Sequence, residues 1–191
     1  MVSGTRSPLI YIKNISHRSR SFFLDSTSVK AHWSAAGARK SEGPQGIGKS
    51  KGGTTSKIHM ICAGPDQGMD FSITGGEVAD IKAGLSLIEE TEFAGANTWI
   101  AMDKGYSAYI TLETCEKKGL IAVVPPKTSH KKPWKYHRWI YAYRNEIERL
   151  FGRLKQYRRV AMRFDKLARR YAAFVSLAII CRFLKVYVNS T

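Results

Sequence analysis

Cysteine and acidic residues are both scarce in this chain. Cys62, Cys115 and Cys181 lie far apart in 191 residues, with no C-x-x-C pair. An odd, scattered set argues against a disulfide framework or a cysteine zinc site and fits a reducing compartment. The five histidines show no ligand spacing such as H-x3-H. Long apolar runs are missing too. The longest, YAAFVSLAIIC at residues 171–181, falls short of the ~20 residues that a bilayer span needs. The first residues, MVSGTRSPLIYIKNISHRSRS, hold no sustained apolar stretch and do not read as a signal peptide. A membrane partner is therefore not expected, and the chain reads as cytoplasmic.

The shortage of acids leaves a large surplus of the opposite sign. Lys and Arg total 31 against 15 Asp and Glu, a net charge of +16. Such a charge repels itself and is usually offset by a polyanion, most often nucleic acid. Hydrophobic residues at 43% and charged residues at 24% are those of a globular domain with a real core.

One motif invites a specific reading. GPQGIGKS, Gly43 to Ser50, fits the G-x-x-x-x-G-K-[ST] pattern of nucleotide-binding loops. That loop works only between a buried strand and a helix whose N-terminus faces the phosphates. The preceding ARKSE is polar, and the following KGGTT begins with two glycines, so neither flank fits. The context rejects nucleotide binding.

Along the chain, residues 1–20 read as a poorly ordered basic arm and residues 21–188 as one folded domain. Phe22-Phe23-Leu24 reads as a short buried strand ending at Asp25. Residues 34–56, rich in Gly, Ser and Lys, read as a long loop. KIHMICAG and MDFSITGG flank a Pro-Asp-Gln-Gly turn and predict a hairpin. Asp80 reads as the N-cap of a helix, followed by a strand ending at Asp103, a helix closed by Gly119, and the strand LIAVV. Residues 127–140 form a basic, aromatic connector. A long helix is predicted over 140–157, with Ile147, Leu150, Phe151 and Leu154 on one face, and a last helix closes the chain. This order predicts a mixed sheet covered by helices.

Asp25 and Asp103 stand where buried strands stop. Carboxylates gathered at strand ends can hold hard divalent cations, but they can equally be turn formers. On the predicted helix, Tyr141, Arg144, Glu148 and Lys155 fall on one stripe beside the apolar face. That stripe either holds Glu148 over the strand ends or is a solvated face with an i,i+4 ion pair. The residues alone leave both readings open.

The chain resembles insertion-sequence DDE transposases of the IS-four/IS-five type. LDSTSVKAH, GKSKGGTTSKIH, ITGGEVADI, AMDKGY, VVPPK and YAYRNEIERLFGRLKQYRR carry the likeness, in order, over residues 22–184. The helix satisfies the family's Y-x2-R-x3-E-x6-K signature at Tyr141, Arg144, Glu148 and Lys155. The resemblance implies an RNase H-like mixed sheet flanked by helices, with Asp25 on the first strand, Asp103 after the fourth and Glu148 on a late helix. These three would hold two Mg2+ ions about 3.5–4 Å apart (Mn2+ being an alternative) for hydrolysis and strand transfer on DNA. Tyr141, Arg144, Lys155, Arg158 and Arg159 would contact DNA. So would Lys49, Lys51 and Lys57 of the glycine-rich stretch, whose attraction to phosphates is salt-sensitive. It also implies double-stranded DNA as partner, a homodimer in synapsis and a nucleoid-associated bacterial location. Family members usually carry an N-terminal DNA-recognition region. Here 24 residues precede Asp25. A truncated chain, or one completed by a separate reading-frame product, is the corresponding expectation. An inactive DNA-binding remnant is the alternative.

Overall fold

The computed structural model describes residues 21–64, 66–93 and 98–188. The predicted basic arm over residues 1–20 lies outside them.

The sheet is built around β1, Ser21–Ala31. On one edge β1 pairs antiparallel with β3, Gly53–Cys62, along nearly its whole length. β3 in turn pairs antiparallel with β4, Gly68–Gly75, by its later residues, and with the short β2, Gly48–Ser50, by its first ones. The other edge of β1 is divided. Ser21 to Leu24 run parallel to β5, Thr98–Met102, whereas Lys30 and Ala31 run parallel to β7, Met162–Arg163. β6, Leu120–Val123, extends the sheet parallel to β5. The result is a mixed seven-stranded sheet.

Side-chain alternation sends successive apolar residues to opposite faces. Phe22, Leu24, Ile61, Ile100 and Met102 pack under α1, Asp80–Glu90, and α2, Tyr109–Lys117. Phe23, Met60, Cys62, Phe71 and Ala101 meet the other helical layer. That layer comprises α3 (Arg138–Ala142), α4 (Asn145–Leu154), α5 (Arg158–Ala161) and α6 (Ala168–Val188). Both faces are covered, so β1 and β5 read as continuous apolar runs rather than as alternating strands. α1 approaches β1 closely: a Cβ on Gly84 would lie 2.4 Å from the Tyr106 ring and 3.2 Å from Leu24. Among the described residues no helix is long and apolar enough to cross a membrane.

Five expectations need correction. β1 does not stop at Asp25. Its pairing with β3 continues, and only the β5 edge ends there. Residues 34–56 are not one loop, because β2 and the start of β3 form a hairpin around Lys51-Gly52. That extra strand places Asp103 after the fifth strand. Asp80 is the first residue of α1 and makes no capping bond; its carboxylate instead takes the Lys57 ammonium at 2.9 Å. The helix predicted over 140–157 is broken at Tyr143-Arg144, where N–H groups reach back three residues, as from Arg144 to the Tyr141 carbonyl oxygen at 3.0 Å.

The GPQGIGKS stretch has the opposite polarity to a phosphate loop. The carbonyl oxygens of Gln45 and Gly46 converge on the guanidinium of Arg163, which is 0% exposed. Arg163 also donates to the Asp165 and Lys166 carbonyls and to the Ser56 hydroxyl, and lies over the Tyr171 ring. Lys49 and Ser50 are in β2 and no helix follows. A loop whose carbonyls bind a cation cannot also cradle an anion.

Candidate active site

The ladder between β1 and β5 brings the first two acids together. Leu24 is the partner of Met102, so Asp25 and Asp103 are the next residues on neighbouring parallel strands. Each is two residues beyond a side chain of the α4-facing core, Phe23 and Ala101, so each leaves the sheet toward α4. Beyond Leu24, the β5 edge of β1 stays open until Lys30 pairs with β7.

Local structure fixes both carboxylates. The backbone N–H of Ser26 donates to Asp25 Oδ1 at 2.8 Å. Asp103 starts a 3₁₀ turn, Lys104–Tyr106, and its Oδ1 accepts from the Gly105 N–H at 2.7 Å. A Cβ on Gly105 would lie 2.8 Å from that same oxygen, so the turn needs its glycine. The connector docks beside the turn, with the Lys127 N–H donating to the Ser107 hydroxyl at 3.1 Å and Trp134 Nε1 to the Val124 carbonyl at 2.8 Å.

α4 supplies the third acid. Its apolar residues Ile147, Leu150, Phe151 and Leu154 are buried against the sheet. Glu148 therefore sits on the flank, exposed, one turn after Arg144. Arg144 bridges two of the acids: Nη1 donates to Asp25 Oδ2 at 2.7 Å, and Nη2 donates to Glu148 Oε1. The Tyr141 ring lies beside the same guanidinium, 5.7 Å from centroid to Cζ. Lys155 Nζ donates to the Ser28 carbonyl at 3.2 Å, on the open edge of β1. Tyr141, Arg144, Glu148 and Lys155 thus do line one side of the site despite the break in the helix.

Burial pushes the Asp25 carboxyl up to about 6. The Ser26 N–H and Arg144 pull it down, and the negative charges of Asp103 and Glu148 push it up again. For Arg144 burial pulls downward, but Asp25 and Glu148 outweigh it and hold the guanidinium above its ordinary value. Burial lowers the Lys155 ammonium. The carboxyl of Asp25 is thus raised chiefly because it is buried, with Arg144 opposing that effect more than either Asp103 or Glu148 adds to it.

Among the described residues no three His, Cys, Asp or Glu side chains stand close enough to share one ion. Arg144 instead bridges Asp25 and Glu148. The donor set nevertheless suits a hard cation, being carboxylate oxygen throughout.

The other expected DNA contacts divide. Lys49 and Lys51 are exposed on the β2–β3 hairpin. Arg158 is exposed beside the Phe164 ring, while Arg159 pairs with Asp165 at 2.6 Å and lies 4.1 Å over the Phe174 ring. Lys57 lies on the sheet face away from Asp25, where its ammonium bonds the Asp80 carboxylate and the Val78 carbonyl. Arg163 and the Ser107 dock were not anticipated. One more cation in a basic tail carries no mark of burial, and nothing local pairs Ser107 with residues 20 positions on.

A family described as transposase DDE domain matches residues 16–184. The chain belongs to that family. Its fold is RNase H-like, a mixed sheet between helical layers. The piggyBac transposase, determined by cryo-EM in a synaptic complex with hairpin DNA, has a similar fold: the TM-score is 0.51 at 11% identity over 85% of this chain. The chain spans 45% of that transposase's chain. No curated protein sequence matches. Within this DDE domain, Asp25, Asp103 and Glu148 stand at the positions just described.

Proposed function

We propose that this DDE domain cuts and joins DNA phosphodiester bonds in the transposition of an insertion sequence, with divalent cations held by Asp25, Asp103 and Glu148. The observation that carries this reading is the register of β1 against β5, which sets Asp25 beside Asp103 and aims both at α4. Two Mg2+ ions, or Mn2+, would supply activation of water or a DNA 3′-OH and stabilisation of the leaving oxygen.

The chain's own residues do the rest. Asp103 is held in one orientation by the Gly105 N–H, and Asp25 by the Ser26 N–H, so neither has to be ordered when the site fills. Arg144 screens the repulsion between Asp25 and Glu148 in the free chain. A phosphodiester gives the same guanidinium oxygen acceptors of like geometry, leaving the carboxylates to the cations. Lys155 at the open edge of β1 and Tyr141 beside Arg144 extend a phosphate-facing border. Lys49, Lys51, Arg158 and Arg159 add sequence-independent attraction to duplex DNA. Two DNA ends held together would call for two copies of the chain, nucleoid-associated.

The test is cleavage of end-containing DNA in Mg2+. Asp103→Asn keeps the shape of the turn and removes the charge. A loss of 100-fold or more in cleavage at unchanged DNA affinity is expected; unchanged cleavage refutes the assignment.

A further inference from the structure

The face of β1 opposite the three acids carries a cleft of about 470 Å³, lined by Ser28, Lys30, Ser50, Lys51, Gly52 and Thr55. The sheet dictates this grouping. Lys30 and Thr55 are direct partners across β1 and β3, and the tight β2–β3 turn places Lys51 and Gly52 over them. The Thr55 hydroxyl donates to Ser50 Oγ at 2.9 Å, and the Gly52 N–H reaches the same oxygen at 3.2 Å. A Cβ on Gly76 would lie 1.8 Å from Thr55 Oγ1, so the hydroxyl pair is packed from behind.

Two cations with no carboxylate among the lining residues suit a phosphate group, while the Thr55 proton goes to Ser50 and the Ser50 proton to the Gly53 carbonyl at 3.4 Å, which leaves the Ser28 hydroxyl as a further donor. Lys57, next along the same face, is committed to Asp80. Lys30 and Lys51 are exposed, and among the described residues neither ammonium has an acidic partner. Glu77, near the cleft, has its carboxylate against Gly48 and Gly75.

Distance supplies the second argument. At about 3.3 Å per residue, Ser28 and Lys30 lie about 10 and 17 Å from Asp25 along β1. One DNA strand advances about 3.4 Å per base step, so this range is about three to five steps. On the edge of β1 left open between its pairings with β5 and β7, Lys155 bonds the carbonyl of Ser28, whose side chain lines the cleft.

We propose that this cleft is a subsite for a DNA backbone phosphate three to five steps from the bond held at Asp25, with Lys30 and Lys51 as its charged ligands. It rests on the reading of the chain as a DNA-cutting domain.

The experiment measures affinity for a DNA duplex by fluorescence anisotropy across a salt series. Lys30→Ala/Lys51→Ala is compared with Lys117→Ala/Lys118→Ala, which removes the same charge at the end of α2. The cleft variant is expected to flatten the slope of log K against log salt by about 0.9, the value for one phosphate contact, and the α2 variant to leave it unchanged. Equal slopes for wild type and the cleft variant, or equal flattening by both variants, overturn the proposal. Lysine acylation of the wild-type chain gives a second measurement that does not depend on how the variant folds. Duplex DNA is expected to protect Lys30 and Lys51 but not Lys117. Equal protection by inorganic phosphate alone overturns a DNA subsite in favour of a free-anion site. If wild type binds no DNA at all, the proposed function fails with it; if it binds and the cleft variant matches it, the subsite alone fails.

Discussion

Asp25→Asn is expected to stabilise the metal-free protein while abolishing its cleavage. The Asp25 carboxyl titrates near 6 in the fold against 3.8 in the unfolded chain, because burial outweighs the help of Ser26 and Arg144. Its side chain is 16% exposed, so solvent screens little of this. A group whose folded pKa is raised stabilises most below its unfolded value, and that contribution is lost as pH rises through the folded one. A shift of about two pH units corresponds to about 3 kcal/mol lost by pH 8, at about 1.4 kcal/mol per unit. Asn resembles the protonated acid in shape and charge, so the variant avoids this loss. Denaturant unfolding in EDTA is expected to give equal stabilities near pH 4. A gap favouring the variant should then open between about pH 4 and 7 and level off at about 3 kcal/mol. For a chain of this size that is a rise in Tm of about 6–12 °C. A variant less stable than wild type at pH 8, or a gap that does not change with pH, refutes the reasoning. The opposing effects on stability and activity are what burying a functional carboxylate imposes.

Other outcomes follow from the same contacts. Arg163→Ala strips five acceptors of their buried cation and is expected to cost on the order of 3–5 kcal/mol in chemical denaturation. Gly84→Ala forces α1 off the Tyr106 ring and Leu24 and is expected to cost about 1–3 kcal/mol, read as a fall in Tm. Asp66, buried between Arg153 and Arg182, has the opposite sign to Asp25. Burial raises its carboxyl, but bonds from the two arginines outweigh this and hold it below its ordinary value. Its contribution is therefore present above pH 3.8 and lost in acid, so Asp66→Asn is expected to reduce the acid sensitivity of unfolding. Lys57→Ala is expected to leave the salt dependence of DNA binding unchanged and to raise amide exchange in the first turn of α1, because its ammonium is already committed to Asp80 and Val78.

The fold was legible in the sequence where one residue type decided an element. The apolar runs at Phe22 and Trp99, the Gly119 helix stop and the hairpin after Cys62 all stand as their patterns imply. The family resemblance implies the three acids as a set, whereas pattern alone marks Asp103 as a strand-end residue and misplaces Asp25 at the end of a strand that runs on to Ala31. What pattern could not supply was pairing at a distance. That β1 outlasts β5 on one edge, while β3 continues on the other, depends on partners 25 or more residues away. The break at Tyr143-Arg144 has no proline or glycine to announce it. It lies where Arg144 turns toward Asp25, across 119 residues of sequence. Lys57 looks like its neighbours Lys49 and Lys51 in a basic stretch. What sets it apart is the Asp80 carboxylate at the start of α1, which takes its ammonium.

The central claim is that Asp25, Asp103 and Glu148 form one divalent-cation centre. Mn2+ titration followed by electron paramagnetic resonance tests it most directly, since free Mn2+ gives a signal that bound Mn2+ loses. With DNA present, the wild-type chain is expected to remove Mn2+ from the free pool. Asp25→Asn, Asp103→Asn and Glu148→Gln should each weaken that uptake by 10-fold or more, and Lys117→Ala should leave it unchanged. Uptake that survives any one of the three acid substitutions at full strength contradicts the account.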